Sequence, residues 1–393
     1  MTKEIPSGPT HIASGEACIV KLPLRRPHFW AGNVVPGEGY VVFSITLQNG
    51  IKGWGETQPI KTWGGDFGRY YGEQPAITVA VIHNILLPAI VDCDIREIDN
   101  LHKRMDRALR GYPYAKAAVD VACHDALGKL LAVPVYQLLG GKVRDRIEIG
   151  HSIGLMDNAD AVREAVEVAS EGVKTIKLKI GLDAERDLNL VRDVRRAVGP
   201  NMKLRVDANQ GYQAWRQAVD VLSRMQEYDV YYAEQPVEGI RNLALVRKNI
   251  NLPVMADESA WTSEDVRDIV EHKAAEMISV YYTKPGGLAK AKQMLAIAGS
   301  AGLKCDINGS GEMGIGNAAN LHLAASSPEI VLAGTIPITS TAEHVTTKVA
   351  GHKYLDDIVE RPFRYRDGFL DVPDGPGLGI EVDEGKIARY RVG

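Results

Sequence analysis

Lys177-Leu178-Lys179, Val206-Asp207-Ala208-Asn209, Ala233-Glu234-Gln235-Pro236 and Ala256-Asp257-Glu258-Ser259 each close a short apolar run with charged or polar residues. Burying even a neutral polar group without a partner costs about 2–7 kcal/mol, and an unpaired charge costs more. Two lysines followed by three regularly spaced carboxylates therefore point to one shared site, in which cation, anion and metal compensate one another. Such a site lies at the ends of successive strands.

Working outward, the chain is periodic from about residue 147. Strand-like runs open at Ile147, Thr175, Lys203, Val230, Val254, Met277, Lys304 and Val331, at steps of 28, 28, 27, 24, 23, 27 and 27 residues. Between them lie segments such as DAVREAVEVASEG and AERDLNLVRDVRRAVG, with apolar residues three and four apart, the spacing of amphipathic helices. Eight strands alternating with helices at this pitch predict a parallel (β/α)8 barrel. A doubly wound sheet would want a glycine-rich phosphate turn after its first strand, and GHSIGLMDNAD is not one.

In a barrel of this kind the chemistry sits at the C-terminal ends of the strands. Asp207, Glu234 and Asp257 occupy that position on three consecutive strands. Three oxygen donors without cysteine or histidine suit a hard cation, Mg2+ first and Mn2+ second. Lys177 and Lys179 lie two apart on one strand and so share a face. Two neighbouring ammonium groups disfavour each other's charge, which is expected to lower the pKa of at least one. A lysine so tuned can serve as general base, and a divalent ion stabilises the dianion formed when the proton α to a carboxylate leaves.

The first ~130 residues differ in pattern. EACIVKLPL, GYVVFSITLQ and GIKGWGE read as antiparallel strands, followed by three helical stretches, and the C-terminal DGFLDVPDGPGLGIEVDEG is strand-like again. The expected division is an α+β cap over 1–135, the barrel over 136–355, and a segment over 356–393 that returns to the cap. The chain has 393 residues, 45% hydrophobic and 24% charged, with a net charge of −4. Mixed charges without a basic run argue against nucleic acid or an anionic membrane as partner. Four dispersed cysteines (Cys18, Cys93, Cys123, Cys305) read as reduced thiols. The N-terminus is not signal-like and no run of ~20 apolar residues occurs, so a cytoplasmic protein is expected.

These residues carry a family resemblance along nearly the whole chain. It runs through Gly53-Trp54-Gly55-Glu56, Lys116 to Asp120, the two-lysine strand, Asp207-Ala208-Asn209, Glu234-Gln235-Pro236, Ala256 to Ser259, Lys284 to Gly287 and the C-terminal PGLGI. The sequence resembles the enolase superfamily, in its muconate lactonizing (muconate cycloisomerase) subgroup. The resemblance implies Mg2+ on Asp207, Glu234 and Asp257, Lys179 as acid/base, and Lys177 tuning it and touching the substrate carboxylate. It implies that Asn209 and Glu258 orient the ligands, and that the protein is a homo-oligomer.

One departure matters. The subgroup usually carries a second lysine five residues before the first glycine of the GG pair, on the opposite face of the substrate. Here that position is Tyr281, and Lys284 matches a lysine three residues later that is not the catalytic one. Strand parity puts Lys284 out of phase with Tyr281 unless the chain has already turned. Two-base racemisation is thereby put in doubt. The His–Asp dyad of the mandelate racemase subgroup is also missing. Glu312, at the end of the seventh strand, is either an acid near the leaving substituent or a structural acceptor. His151 is a pocket-lining candidate.

Loops 27–39 and 61–73 bring Phe29, Trp30, Trp63, Phe67, Tyr70 and Tyr71 to the barrel mouth beside a single acid, Asp66. Such a cluster encloses an apolar substrate or cages a cationic nitrogen. The expected reaction is Mg2+-dependent enolate formation from a small carboxylate, resolved by one-base chemistry. β-Elimination of water ranks ahead of cycloisomerisation. The alternatives are a racemase or epimerase of an amino-acid-derived or betaine-like carboxylate and, from another class, a non-catalytic ligand-binding barrel.

Overall fold

The computed structural model describes residues 10–30, 33–35, 39–63, 65–66, 72–309, 311–339, 349–361, 363 and 365–392. Seven parallel strands form one sheet in sequence order: His151–Ile153, Thr175–Lys179, Lys203–Asp207, Val230–Glu234, Val254–Ala256, Met277–Val280 and Lys304–Ile307. The register sets Lys179 beside Asp207, and Asp207 beside Glu234, so the charged strand ends form one layer.

Two of the expected eight runs behave differently. The first splits at Gly150: Arg146–Glu148 pairs antiparallel with Phe369–Asp371, and only His151–Ile153 enters the barrel. The run opening at Val331 forms single bridges rather than a ladder, because Gly334 and Pro337 interrupt it. It still closes the ring. Leu332 and Thr335 donate backbone N–H to Cys305 and Ile307 on one side, at 3.1 and 3.0 Å. On the other side Gly334 exchanges 2.8 Å bonds with Glu148 and Gly150.

The helices between the strands bury one stripe each. Ala184–Val198 starts where the Asp183 carboxylate accepts from Arg186 N at 2.8 Å, and it buries Leu188, Val191 and Val194 at helical spacing. Ser263–His272 begins on a reciprocal capping box between Thr262 and Asp265.

The cap packs the antiparallel sheet Ile12–Val20, Tyr40–Leu47 and Lys52–Thr57 on the helix Pro113–Leu131. Its motifs lock cap to barrel through helix termini. Glu56 accepts from Met313 N and Gly316 N, at 2.6 and 2.8 Å, where the helix Gly314–Ala325 begins. Asp125 accepts from Trp54 N and from Leu378 N in the C-terminal turn, both at 2.8 Å. Val392 N also bonds Ile19 O. The C-terminal segment thus touches the cap through Leu378 and Val392 and the foot of the barrel through Phe369–Asp371.

Asp120 accepts from Leu288 N at 2.6 Å, at the start of the helix Leu288–Ser300. The approach requires Gly287, which sits at φ 133°, and a Cβ there would run into the Asp120 carboxyl. Gly287→Ala is expected to cost at least about 1–3 kcal/mol from backbone strain alone. A lowered urea midpoint at unchanged m-value would report it; an unchanged midpoint would mean that this joint carries no load.

Among the described residues no helix is long and apolar enough to cross a membrane. The four cysteines are unpaired, three of them buried.

Candidate active site

Eight of the residues singled out in the sequence line one cleft at the C-terminal mouth of the barrel: Lys177, Lys179, Asn209, Asp257, Tyr281, Trp30, Trp63 and His151. The cleft measures about 980 Å³ including its open mouth, which suits a small molecule. Asp207, Glu234, Glu258, Lys284 and Glu312 are buried behind its wall.

The charged layer is tightly bonded. Lys179 Nζ donates to Asp207 Oδ2 and Asn209 Oδ1, each at 2.6 Å. Lys177 Nζ donates to Glu234 Oε1 at 2.7 Å and to Asp207 Oδ2 at 3.3 Å. Asn209 links the rows: its backbone N–H bonds Asp207 Oδ1 and its side-chain amide bonds Glu258 Oε1, both at 3.0 Å. That reach depends on a left-handed backbone, φ 43°, which asparagine tolerates better than most residues.

Burial works against the Asp207 carboxylate, but Lys179 and Lys177 outweigh it and hold its pKa below the usual range. Burial also works to lower the Lys177 pKa, and here Glu234 and Asp207 win and hold it above the ordinary lysine value. The expectation that a lysine pair depresses a pKa therefore fails for Lys177. Carboxylates at hydrogen-bond distance outweigh the neighbouring ammonium. Glu234 is pushed up, by burial first and then by Asp207.

The donor set fits a hard divalent cation in its chemistry: three carboxylates, each at most 1% exposed, on adjacent strand ends. Glu234 Oε2 is buried without a hydrogen-bond partner, as is Glu258 Oε2. Among the described residues no three acidic, histidine or cysteine side chains converge on a common point. The reason lies in their partners, since the oxygens face Lys177, Lys179 and Lys284 rather than one another.

The barrel-and-cap architecture has counterparts among known proteins. Residues 160–386 match the enolase C-terminal domain-like family, and residues 15–140 match the N-terminal domain of the mandelate racemase / muconate lactonizing enzyme family. The chain belongs to the enolase superfamily. Within that superfamily it is similar to muconate cycloisomerase 1 of Rhodococcus opacus, 32% identical over 96% of this chain and 98% of the relative. Its structure is similar to that of N-succinyl Arg/Lys racemase from Bacillus cereus, with a TM-score of 0.89 and 28% identity, covering 98% of each chain. It also resembles a dipeptide epimerase from Enterococcus faecalis solved with Mg and the dipeptide L-Leu-L-Tyr. That match has a TM-score of 0.82 at 28% identity and covers 94% of this chain and 99% of the other. The relatives are enzymes, isomerases among them.

Against that enolase-superfamily background the sixth strand stands out. It ends at Val280, and the chain turns over residues 283–286. Tyr281 keeps its inward direction and lines the cleft, with its hydroxyl 3.4 Å from Asp257 Oδ2. Burial pushes its pKa well up. Lys284 lies beyond the end of the strand, where parity no longer applies. It folds back to donate to Asp257 Oδ1, to Asp257 O at 2.8 Å and to Ser279 O at 3.1 Å. Its three protons are taken, and it does not face the cleft.

His151 accepts from Gly351 N at Nδ1 (3.0 Å), which leaves Nε2 to donate to Glu164 at 2.7 Å. It lines the cleft and ties the helix Asn158–Ser170 to the turn at Gly351. Glu312 lies beneath Gly309 and Gly316 and accepts from Gly311 N at 3.2 Å.

Of the loop aromatics, Trp30 and Trp63 line the cleft and meet edge-on at 6.3 Å, while Phe29 is half exposed outside it. Phe67, Tyr70 and Tyr71 lie outside the described residues. The cation beside Trp30 is Lys179, 5.7 Å from its ring. Asp66 is not placed to receive a substrate cation. Its Oδ1 accepts from Gln210, Gly239 N and Ser259, which anchors the loop.

Sequence reasoning missed His28, Asn308 and Lys353, which also line the cleft. Asn308 follows the seventh strand and was legible from the same strand-end rule that found the carboxylates. His28 and Lys353 come from the short strands His28–Trp30 and His352–Tyr354, which no barrel period reaches.

Proposed function

We propose that this enzyme removes the proton α to the carboxylate of a small acid with Lys179 as base, and that the product forms by β-elimination of water. The observation that carries the reading is the position of Lys179. Its ammonium group opens on the cleft beside Trp30 while Asp207 and Asn209 fix its direction. Asp207, Glu234 and Asp257 are the residues that would hold Mg2+. When bound, the cation supplies positive charge to the substrate carboxylate and stabilises the charge that develops as the proton leaves. Lys177 steadies that carboxylate from the same strand, and Trp30 and Trp63 keep water from the reacting face.

Tyr281 favours one-base chemistry. A tyrosine whose pKa is pushed up is a poor substitute for a cationic lysine on the opposite face. The second reading, racemisation or epimerisation of an amino-acid derivative, draws support from the relatives named racemase and epimerase.

The two separate in one experiment. A library of small carboxylates is incubated in deuterated water, and α-deuteration, water loss and configuration are followed by NMR. Tyr281→Phe is expected to retain α-exchange near the wild-type rate. Inversion of a chiral acid that survives Tyr281→Phe would sink the one-base reading.

A further inference from the structure

We infer that Lys353 is a second catalytic lysine, the proton donor to the oxygen that leaves from the carbon next to the one Lys179 deprotonates. The inference rests on the dehydration reading and divides its two proton transfers between two residues.

Lys353 is held where it is by the fold. Its strand, His352–Tyr354, pairs with Ile338–Thr339, and its carbonyl accepts from Arg25 N in the cap at 2.9 Å. Just upstream, Val349 N and Ala350 N are bound by Glu171, and Gly351 N by His151. The ammonium lies over Gly311, where any side chain would overlap it. Among the described residues no hydrogen bond engages that ammonium, whereas those of Lys177, Lys179 and Lys284 are each bonded to carboxylates.

Topology puts it across the cleft from the anionic layer. Asp207, Glu234 and Asp257 follow the third, fourth and fifth strands, and the segment leading to Lys353 follows the eighth position of the ring, opposite the fourth. A substrate whose carboxylate sits against Lys177 and a divalent cation held by the anionic layer would turn its other substituents toward Lys353. Lys353 lines the cleft and is half-buried. Crowding by protein lowers its pKa to about 8, with Glu312 opposing the shift and Lys179 adding to it. Among the described residues that line the cleft, the other ionisable groups are Arg25, Arg26, His28, His151, Glu164, Lys177, Asp257, Tyr281 and His352. An ammonium of that pKa is protonated at neutral pH and gives its proton up readily.

The step balances. The α C–H bond breaks and its proton passes to Lys179. The electron pair forms the carbon–carbon double bond, and the C–O bond breaks with its pair going to oxygen. Lys353 protonates that oxygen to release water, and both lysines exchange back to their starting forms with solvent.

The test compares a β-hydroxy acid that the wild type dehydrates with its β-fluoro analogue, because fluoride leaves without a proton. Lys353→Met is expected to slow dehydration by about 10²–10⁴-fold. Fluoride elimination and α-deuteration should stay near the wild-type rate. Lys353→Arg, which keeps the charge but does not release a proton, should not rescue dehydration. Wild-type dehydration should fall as pH rises through about 8, where Lys353 loses its proton, and fluoride elimination should not. Equal loss of both eliminations, or normal dehydration in either variant, overturns the inference while leaving Lys179 as base intact. A wild type that exchanges α-protons but dehydrates no hydroxy acid overturns the dehydration reading and this inference together. Absence of exchange overturns the base itself.

Discussion

Lys179→Met is expected to abolish α-proton exchange, with a loss of at least about 10²–10⁴-fold, the usual contribution of a general base. Lys179 is the more exposed of the strand pair, its side chain 10% accessible against 3% for Lys177. Lys177 is held by Glu234 and Asp207 with its pKa raised, which suits a fixed positive charge and not a base. Removing the Lys179 ammonium leaves Asp207 still paired with Lys177 and with Asn209 N, so the fold should survive and circular dichroism should be unchanged. Lys179→Arg should be as inactive as Lys179→Met, since a guanidinium does not act as a base near neutral pH. Lys177→Met should raise KM more than it lowers exchange at saturation. Exchange that persists in Lys179→Met and vanishes in Lys177→Met would reverse the two roles.

How far the sequence led depended on whether a residue's neighbours in space were also its neighbours in pattern. Asp207, Glu234 and Asp257 end three similar strands, and the register that joins Lys179, Asp207 and Glu234 follows from parallel pairing. Tyr281 was readable because its distance to Gly286 is fixed by a strand and one turn. Lys284 was not, because period-two alternation stops at Val280 and the turn reverses the side chain onto Asp257. The eighth barrel position was found in sequence but not in kind. Gly334 and Pro337 reduce it to isolated bridges, and closure depends on hydrogen bonds rather than on a ladder. Lys353 was invisible for a different reason. Its place is set by pairing with Arg25 in the cap and by the close approach to Gly311, contacts with distant segments that no strand period connects. The Asp66 reading failed because composition places an acid near a loop but says nothing of the backbone N–H that claims it.

Arg205→Met is expected to cost about 3–5 kcal/mol, the range for a buried ion pair broken on one side. Arg205 is fully buried in the barrel interior, two residues before Asp207 and on the same face of the strand. Its guanidinium donates to Tyr232 OH at 2.5 Å, Asp306 Oδ2 at 3.1 Å, Ala333 O at 3.0 Å and Thr335 Oγ1 at 2.6 Å. Four acceptors from the fourth and seventh strands and the closing segment therefore share one cation. Methionine fills much of the volume and satisfies none of them. Asp306, whose pKa burial already pushes up against the pull of Arg205, would lose the neighbour that keeps it charged. Replacing both partners, Arg205→Met with Asp306→Leu, should recover much of the loss, because an apolar pair of similar volume leaves no charge stranded. The effect also reaches the cleft. Through Ala333 and Thr335, Arg205 adds side-chain bonds to the backbone bonds that hold the irregular eighth position, and Thr335, Ile336 and Pro337 form part of the cleft wall. The single variant should therefore lower the urea midpoint and weaken carboxylate binding together. A loss below about 1 kcal/mol would mean that the backbone bridges alone close the barrel.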